Sequence, residues 1–202
     1  MGFFAEIFTY RNFGGFVMKK NPFSTKILAF DALMIALYVV LGFLKIPIGN
    51  VLRISLAPFS VIISAILFGP VNGLIVGFLG EFLSQVLGPY GLTPTTLLWS
   101  LPEAVRGLLL GLAIAVFFGK SLEALKAKRL VAYLLVSVVI GIVASLLNTF
   151  ALYVDSKMFG YYNEYMVFGA LAIRLTMAVV VSGGLGYIAL PIVSALRRNN
   201  MK

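Results

Sequence analysis

Residues 130–153 read LVAYLLVSVVIGIVASLLNTFALY, a predominantly apolar run without a charged side chain. A membrane-spanning helix needs about 20 apolar residues, and this run is long enough. The whole chain agrees with it, because 61% of its 202 residues are hydrophobic and only 11% are charged, whereas roughly a quarter of residues are charged in soluble domains. The sequence therefore predicts an integral membrane protein.

Five further apolar segments accompany this one, separated by charged residues or by turn signals such as Gly69-Pro70 and Gly88-Pro89. The six predicted spans are residues 26–44, 54–68, 71–88, 96–119, 130–153 and 167–195. The second span is short, so it is either tilted, buried by its neighbours or wrongly bounded. We expect an all-α integral membrane protein whose six transmembrane helices form a single compact bundle over residues 26–196, followed by a basic cytoplasmic tail at 197–202.

The basic residues predict the orientation of this bundle. Of the 16 lysines and arginines, 11 precede the first span, separate the fourth from the fifth, or follow the sixth, whereas only Lys45, Arg53 and Lys157 fall in the opposite loops. Because cytoplasmic loops carry the excess of basic residues, both termini are predicted to be cytoplasmic. The formal net charge of +9 then reflects membrane topology, so the expected surroundings are the lipid bilayer of a bacterial cytoplasmic membrane and no nucleic acid.

Residues 1–25 form an N-terminal extension that is aromatic, interrupted by Gly14-Gly15 and too short to span. Met18, which is followed by two lysines, is a natural start and would make the preceding residues dispensable. The alternative is a segment that lies along the membrane interface.

The chain contains no cysteine and no histidine. This excludes catalysis by thiolate or imidazole and the usual ligands of zinc, haem and iron–sulfur clusters. Glu81 and Glu103 could form a carboxylate pair, but no nucleophile or metal arrangement accompanies them. Gly119-Lys120-Ser121 resembles the end of a phosphate-binding loop, yet Ile114 stands where that motif requires glycine. We therefore expect a protein that is not an enzyme, has no cofactor and leaves any ATP hydrolysis to another chain.

Polar side chains inside predicted spans are costly and often mark functional sites. Glu81 and Gln85 lie one turn apart on the third span, and Glu103 and Arg106 lie about one turn apart on the fourth. All fall in the predicted outer half of the bundle and favour a polar pocket that opens outward beneath the loop 88–96. The candidate substrate-binding residues are Arg53, Glu81, Gln85, Tyr90, Thr96, Trp99, Glu103, Arg106, Asn148 and Arg174.

Two interpretations of these residues stay open. In the first, the charges serve a solute, and three arginines against two glutamates then favour an anionic or carboxylate-bearing one. Alternatively, the charges pair with one another and hold the helices together, while Tyr90 and Trp99 belong to the interfacial aromatic belt. Asp31, close to the cytoplasmic end of the first span, is expected to be solvated or capped.

Ala32 and Ala36 on the first span form a small-xxx-small step that allows another helix to approach closely. The approaching helix belongs either to this chain or to a partner protein.

Two motifs resemble a known family. The run Ile46-Pro-Ile-Gly-Asn-Val-Leu-Arg-Ile-Ser55, followed by Leu67-Phe-Gly-Pro70 and Gly73, resembles the substrate-binding S components of energy-coupling factor (ECF) vitamin importers, especially the folate-like branch. The resemblance covers most of residues 24–119, and the six-span layout agrees over the rest.

The resemblance implies a subunit that captures a water-soluble vitamin outside and delivers it inside. Its implied partners are a membrane scaffold subunit and two ATP-binding subunits, with Ala32 and Ala36 as the docking surface for the scaffold. The stretch Gly88–Thr96 departs from the folate pattern, so pantothenate is as good a candidate as a folate-like vitamin. The alternative function is an autonomous small secondary transporter or channel for an anionic solute.

Overall fold

The computed structural model describes residues 24–44, 46–48, 52–118 and 127–199. Within these ranges, six α-helices follow the six predicted segments: α1 (Thr25–Phe43), α2 (Pro58–Phe68), α3 (Pro70–Val86), α4 (Thr96–Ala113), α5 (Ala127–Met158) and α6 (Leu171–Asn199). A π-helical turn, Ile114–Phe118, continues α4, and another, Tyr165–Gly169, precedes α6. Most of the N-terminal extension, Met18 included, and residues 200–202 lie outside the described residues. The predicted tail begins inside α6, which continues to Asn199.

A short β-hairpin is the departure from an all-α fold. Strands β1 (Ile46–Ile48) and β2 (Leu52–Ile54) are antiparallel, with Ile46 opposite Ile54. The second predicted span therefore begins too early, because Ile54 pairs in the hairpin and the helix begins at Pro58. Proline suits the first turn of a helix, where no intrahelical donor is needed.

Within the described residues, four segments are long and apolar enough to cross a membrane: Thr25–Phe43, Thr96–Phe118, Lys128–Met158 and Tyr165–Leu196. Helix α2 has 11 residues and is therefore about 16 Å long at 1.5 Å per residue, about half of a hydrocarbon core of about 30 Å. Helix α3, with 17 residues, is intermediate in length between α2 and the four long segments. The count of six spans stays a prediction.

Helix α2 lies at the centre of the bundle and packs against α1, α3, α4 and α6. Its residues from Ser60 to Ile66 are all buried. Helix α2 has no charged side chain on any face, which favours an interior position, and its neighbours enclose it on every side that carries these side chains. Of the three explanations offered for the short second segment, burial by neighbours and wrong bounds are both confirmed.

Helices α3 and α4 meet backbone to backbone. A Cβ placed on Gly73 would lie 2.7 Å from the carbonyl oxygen of Gly107, a Cβ on Gly77 would overlap the carbonyl of Glu103, and one on Gly111 would overlap Pro70. We call this contact the glycine seam. Small residues at such positions let two membrane helices approach closely, and the pairing order shows that α3 and α4 run antiparallel.

Helices α5 and α6 form a second antiparallel pair. The Ser137 hydroxyl donates to the carbonyl of Ser182 at 3.1 Å, and the Tyr133 hydroxyl donates to the carbonyl of Gly186 at 3.3 Å. A Cβ on Gly141 would overlap the side chain of Ser182. Ser182 is therefore held at the α5–α6 contact.

The alternating helix directions give the bundle two distinct ends. The β-hairpin and residues 87–95 and 159–164 lie at one of them, which we call the loop end. The start of α1, the turn at Gly69 with its φ of 95°, and the end of α6 lie at the other, which we call the terminal end.

We predict that Gly107→Ala destabilises the protein strongly, because the added methyl overlaps the backbone of α3. Thermal unfolding in detergent measures the effect, and Gly184→Ala is the matched control, since a Cβ at Gly184 meets nothing within 4 Å. Equal unfolding temperatures for the two variants would contradict the importance of the glycine seam.

Candidate functional site

A buried ion pair lies in the middle of the bundle. Glu103 and Arg106 are only 6% and 8% exposed, and Arg106 Nε lies 2.9 Å from Glu103 Oε2. The Nη1 atom of Arg106 also donates to the Ser182 hydroxyl at 3.0 Å. Since an isolated charge is very costly in an apolar interior, each partner makes the other tolerable, and Ser182 fixes the guanidinium against α6.

A second carboxylate faces this region from α3. Glu81 accepts a hydrogen bond from the Tyr38 hydroxyl at 2.6 Å and another from the Gln85 side-chain amide at 2.7 Å. Tyr38 is 2% exposed, and its ring lies on Gly80, within one turn of the contact between Gly77 and the backbone of Glu103. Glu81 and the ion pair therefore belong to one interior region.

We call this set of side chains the polar network, and it draws on helices α1, α3, α4 and α6. Its members are Tyr38, Glu81, Gln85, Glu103, Arg106 and Ser182. The glycine seam sets Gly77 against Glu103, and the same antiparallel register places Glu81 level with Trp99. Two carboxylates and one guanidinium give the network a formal charge of −1.

Four of the predicted site residues, Glu81, Gln85, Glu103 and Arg106, are thus brought together. Arg174 is not among them, because its guanidinium donates to the carbonyls of Met166 at 2.7 Å and Val167 at 3.1 Å and so caps the π-helical turn before α6. It satisfies backbone acceptors of its own segment.

The other predicted residues occupy different positions. Thr96 is buried, and its hydroxyl accepts the backbone N–H of Thr93 at 2.9 Å, so it shapes the start of α4. Tyr90 is exposed at the loop end, while Trp99 and Asn148 are half-buried on α4 and α5. The backbone of Arg53 lies in β2, and its side chain lies outside the described part of the chain. Roles in binding stay predictions for all of these residues.

Two loops are joined at the loop end by a carboxylate that the sequence interpretation missed. Asp155, near the end of α5, accepts short hydrogen bonds from the hydroxyls of Thr95 and Tyr161. We call these three residues the latch. Partial burial and the hydrogen bond to Asp155 raise the pKa of Tyr161 from 10.0 to about 12. The latch ties the loop before α4 to the loop after α5 across the end of the bundle.

Tyr38 and Ser182 were also missed. Each lies in an apolar run, where a lone hydroxyl is not distinctive. A partial signal existed for both, because Tyr38 lies two turns from Asp31 on the same face of α1 and Ser182 precedes Gly183-Gly184.

Asp31 is buried near the terminal end, which corrects the expectation that it is solvated or capped. It is 3% exposed and accepts hydrogen bonds from Ser64 at 2.8 Å and from Asn72 at 2.6 Å. The hydroxyl and the amide replace water as its hydrogen-bond donors.

The opposite face of α1 carries the predicted docking residues. Ala32 and Ala36 are exposed, as are Ala29, Leu33 and Val40 on the same side. The alanine pair therefore does not pack against the described helices of this chain, and this face of α1 is open to lipid or to a partner.

The comparisons with known proteins agree with this architecture. The family model described as ECF-type riboflavin transporter, S component, matches residues 22–198, which include the polar network, the latch and all six helices except the last residue of α6. A search among curated proteins finds no match to the chain.

We predict that the latch weakens in alkaline solution. Because the pKa of Tyr161 is raised on folding, the contribution of its hydroxyl to stability is complete below pH 10 and is lost as the pH rises through about 12. Ultraviolet titration of the folded protein should show one tyrosine transition near pH 12 that is missing in Tyr161→Phe. A difference spectrum with its midpoint near pH 10 would contradict the assignment.

Proposed function

The chain belongs to the family of ECF-type riboflavin transporter S components, and we propose that it captures riboflavin outside the membrane and delivers it inside with ATP-hydrolysing partner subunits. The observation that carries the proposal is a polar network of two carboxylates and one guanidinium in the interior of a largely apolar multi-pass bundle of this family. Ionisable groups at such depth usually serve a solute or its path.

The charge of the network supports a neutral ligand over an anionic one. Arg106 is paired with Glu103 at 2.9 Å, and the guanidinium of Arg174 is engaged by backbone carbonyls. The surplus of positive charge expected from the sequence is therefore not available to a carboxylate among the side chains described. Riboflavin has no carboxylate, and the hydroxyls of its ribityl chain are donors that suit Glu81 and Glu103. Folate-like vitamins and pantothenate carry carboxylates and fit a network of formal charge −1 less well.

The distribution of basic residues supports an orientation with the loop end outside. Riboflavin then enters from the loop end, and the latch holds together two of the loops that it passes. Trp99, level with Glu81 near this end, offers an aromatic surface to a planar ring system.

The exposed alanine face of α1 supports docking of the membrane scaffold subunit. Ala32 and Ala36 present only methyl groups, so a partner helix can approach the backbone closely. The scaffold and its two ATP-binding subunits supply the energy, since the sequence offers no nucleotide motif. The S component then tips within the bilayer and releases the vitamin inside.

We predict that riboflavin binding quenches the fluorescence of Trp99, the single tryptophan of the chain. We also predict that Arg106→Gln weakens riboflavin binding at least tenfold, because Glu103 loses its ion-pair partner. Titration of the purified protein in detergent measures both. Arg129→Gln, an exposed position on α5, is the matched control and should bind as the unchanged protein does.

A ligand that binds only the folded state also raises the unfolding temperature, so thermal shifts with riboflavin, folate and pantothenate compare the candidate vitamins directly. Stabilisation by folate or pantothenate alone would replace riboflavin as the substrate. Stabilisation by none of the three would count against the proposed binding role.

We predict that Ala32→Phe or Ala36→Phe leaves riboflavin affinity unchanged and abolishes ATP-dependent uptake into liposomes that contain the complete complex, because the ring obstructs the scaffold helix. Val139→Phe, at an exposed position on α5, should transport normally. Uptake by the S component alone, driven by an ion gradient, would instead support the secondary transporter.

A further inference from the structure

Helix α1 presents two faces with different surroundings. One face is exposed and carries Ala32 and Ala36, and the other is buried and carries Asp31, Met34 and Tyr38. The two polar residues of the buried face lie seven residues apart, which is two turns and about 10 Å along the helix. They fasten α1 to the rest of the bundle at two levels.

The lower fastening lies at the terminal end and involves only side chains of helices α1, α2 and α3. The carboxylate of Asp31 receives Ser64 of α2 and Asn72 of α3. Both donors lie beside the α2–α3 turn, where Gly69 and Pro70 fix the backbone. This fastening lies about two turns from the polar network.

The upper fastening runs through the polar network itself. The hydroxyl of Tyr38 donates to Glu81 at 2.6 Å, and Gln85 donates to the same carboxylate. The Tyr38 ring lies directly on the backbone of α3, because a Cβ on Gly80 would be 2.6 Å from its Cγ atom. Further along, Gly42 lies against Ser84, and a Cβ there would be 2.9 Å from the serine oxygen. Because Tyr38 belongs to α1 and bonds Glu81 directly, a change in the hydrogen bonds of Glu81 acts on α1 without a further residue between them.

We infer that Tyr38 is a positioning residue through which the occupied polar network sets the placement of the exposed face of α1; the inference rests on the proposed function. A riboflavin hydroxyl that donates to Glu81 alters the acceptor of Tyr38, and α1 shifts on its glycine contacts while Asp31 holds its lower part. Riboflavin binding to the polar network and docking of the scaffold are then coupled. Each changes the affinity for the other by the same factor.

Tyr38→Phe tests the inference, since it removes one oxygen and keeps the ring on Gly80. The measurement is the affinity of the S component for the scaffold with its two ATP-binding subunits, in nanodiscs, with and without saturating riboflavin. In the unchanged protein, riboflavin should change the affinity for the scaffold complex by about fivefold or more. A factor of about five is the lower bound of common couplings between two binding sites. In Tyr38→Phe the ratio of the two affinities should fall to within twofold of one, although both partners still bind.

A purely structural role of Tyr38 would lower both affinities and leave their ratio intact. A ratio in Tyr38→Phe equal to that of the unchanged protein overturns the inference, as does a ratio near one in the unchanged protein. Ser64→Ala is the matched control, because it removes one hydrogen bond from the lower fastening and should preserve the ratio.

Gly80→Ala provides a second route if Tyr38→Phe does not fold. The added methyl displaces the Tyr38 ring and so moves its hydroxyl away from Glu81 without removing it. The ratio should therefore again approach one, and an unchanged ratio would refute the coupling. Failure of the proposed function is seen separately, because it appears as absence of riboflavin binding to the unchanged protein before any ratio is measured.

Discussion

The glycine seam between α3 and α4 is the constraint on which the other features depend. Gly73, Gly77 and Gly107 remove the layer of side chains that normally separates two helices, and the register is fixed by backbone contact. This register places Glu81 beside the level of Trp99 and brings Glu103 to the interior. If α3 were shifted by one turn along α4, a carboxylate would be moved against the helix backbone and would lose its hydrogen-bond or ion-pair partners. Van der Waals contact between small residues thus determines where the polar groups meet.

The polar network illustrates how a membrane bundle carries charge. Its carboxylates and guanidinium are engaged by one another and by the neutral groups Tyr38, Gln85 and Ser182. Neutral donors and acceptors orient the charges at less desolvation cost than further ions would. Such a network can exchange hydrogen bonds with a solute, as binding and release require. It also agrees with membership of a transporter family, in which transport rather than bond chemistry is the task.

Much of the helical architecture could be predicted from the sequence because hydrophobic runs depend on local composition. Gly73, Gly77 and Glu81 recur every four residues, and the face that they share meets α4 through its glycines and then becomes polar. The contact of Ser182 with Arg106 and that of Thr95 with Asp155 were missed because each joins residues far apart in sequence. The β-hairpin was missed because its strands, of three residues each, are too short to show an alternating pattern. Arg174 was predicted as a binding residue for a related reason. A charge in an apolar run can serve a solute or cap a neighbouring turn, and spacing alone does not distinguish these uses.

The buried position of α2 has a consequence for biogenesis. A helix of 11 residues that contacts α1, α3, α4 and α6 has no stable place in lipid on its own, because its ends would leave backbone groups unsatisfied in hydrocarbon. Helix α2 therefore depends on its neighbours for stability in the membrane, and its enclosure is complete only after α6 has been synthesised. A chain that ends before α6 leaves exposed the part of α2 that α6 covers in the complete bundle.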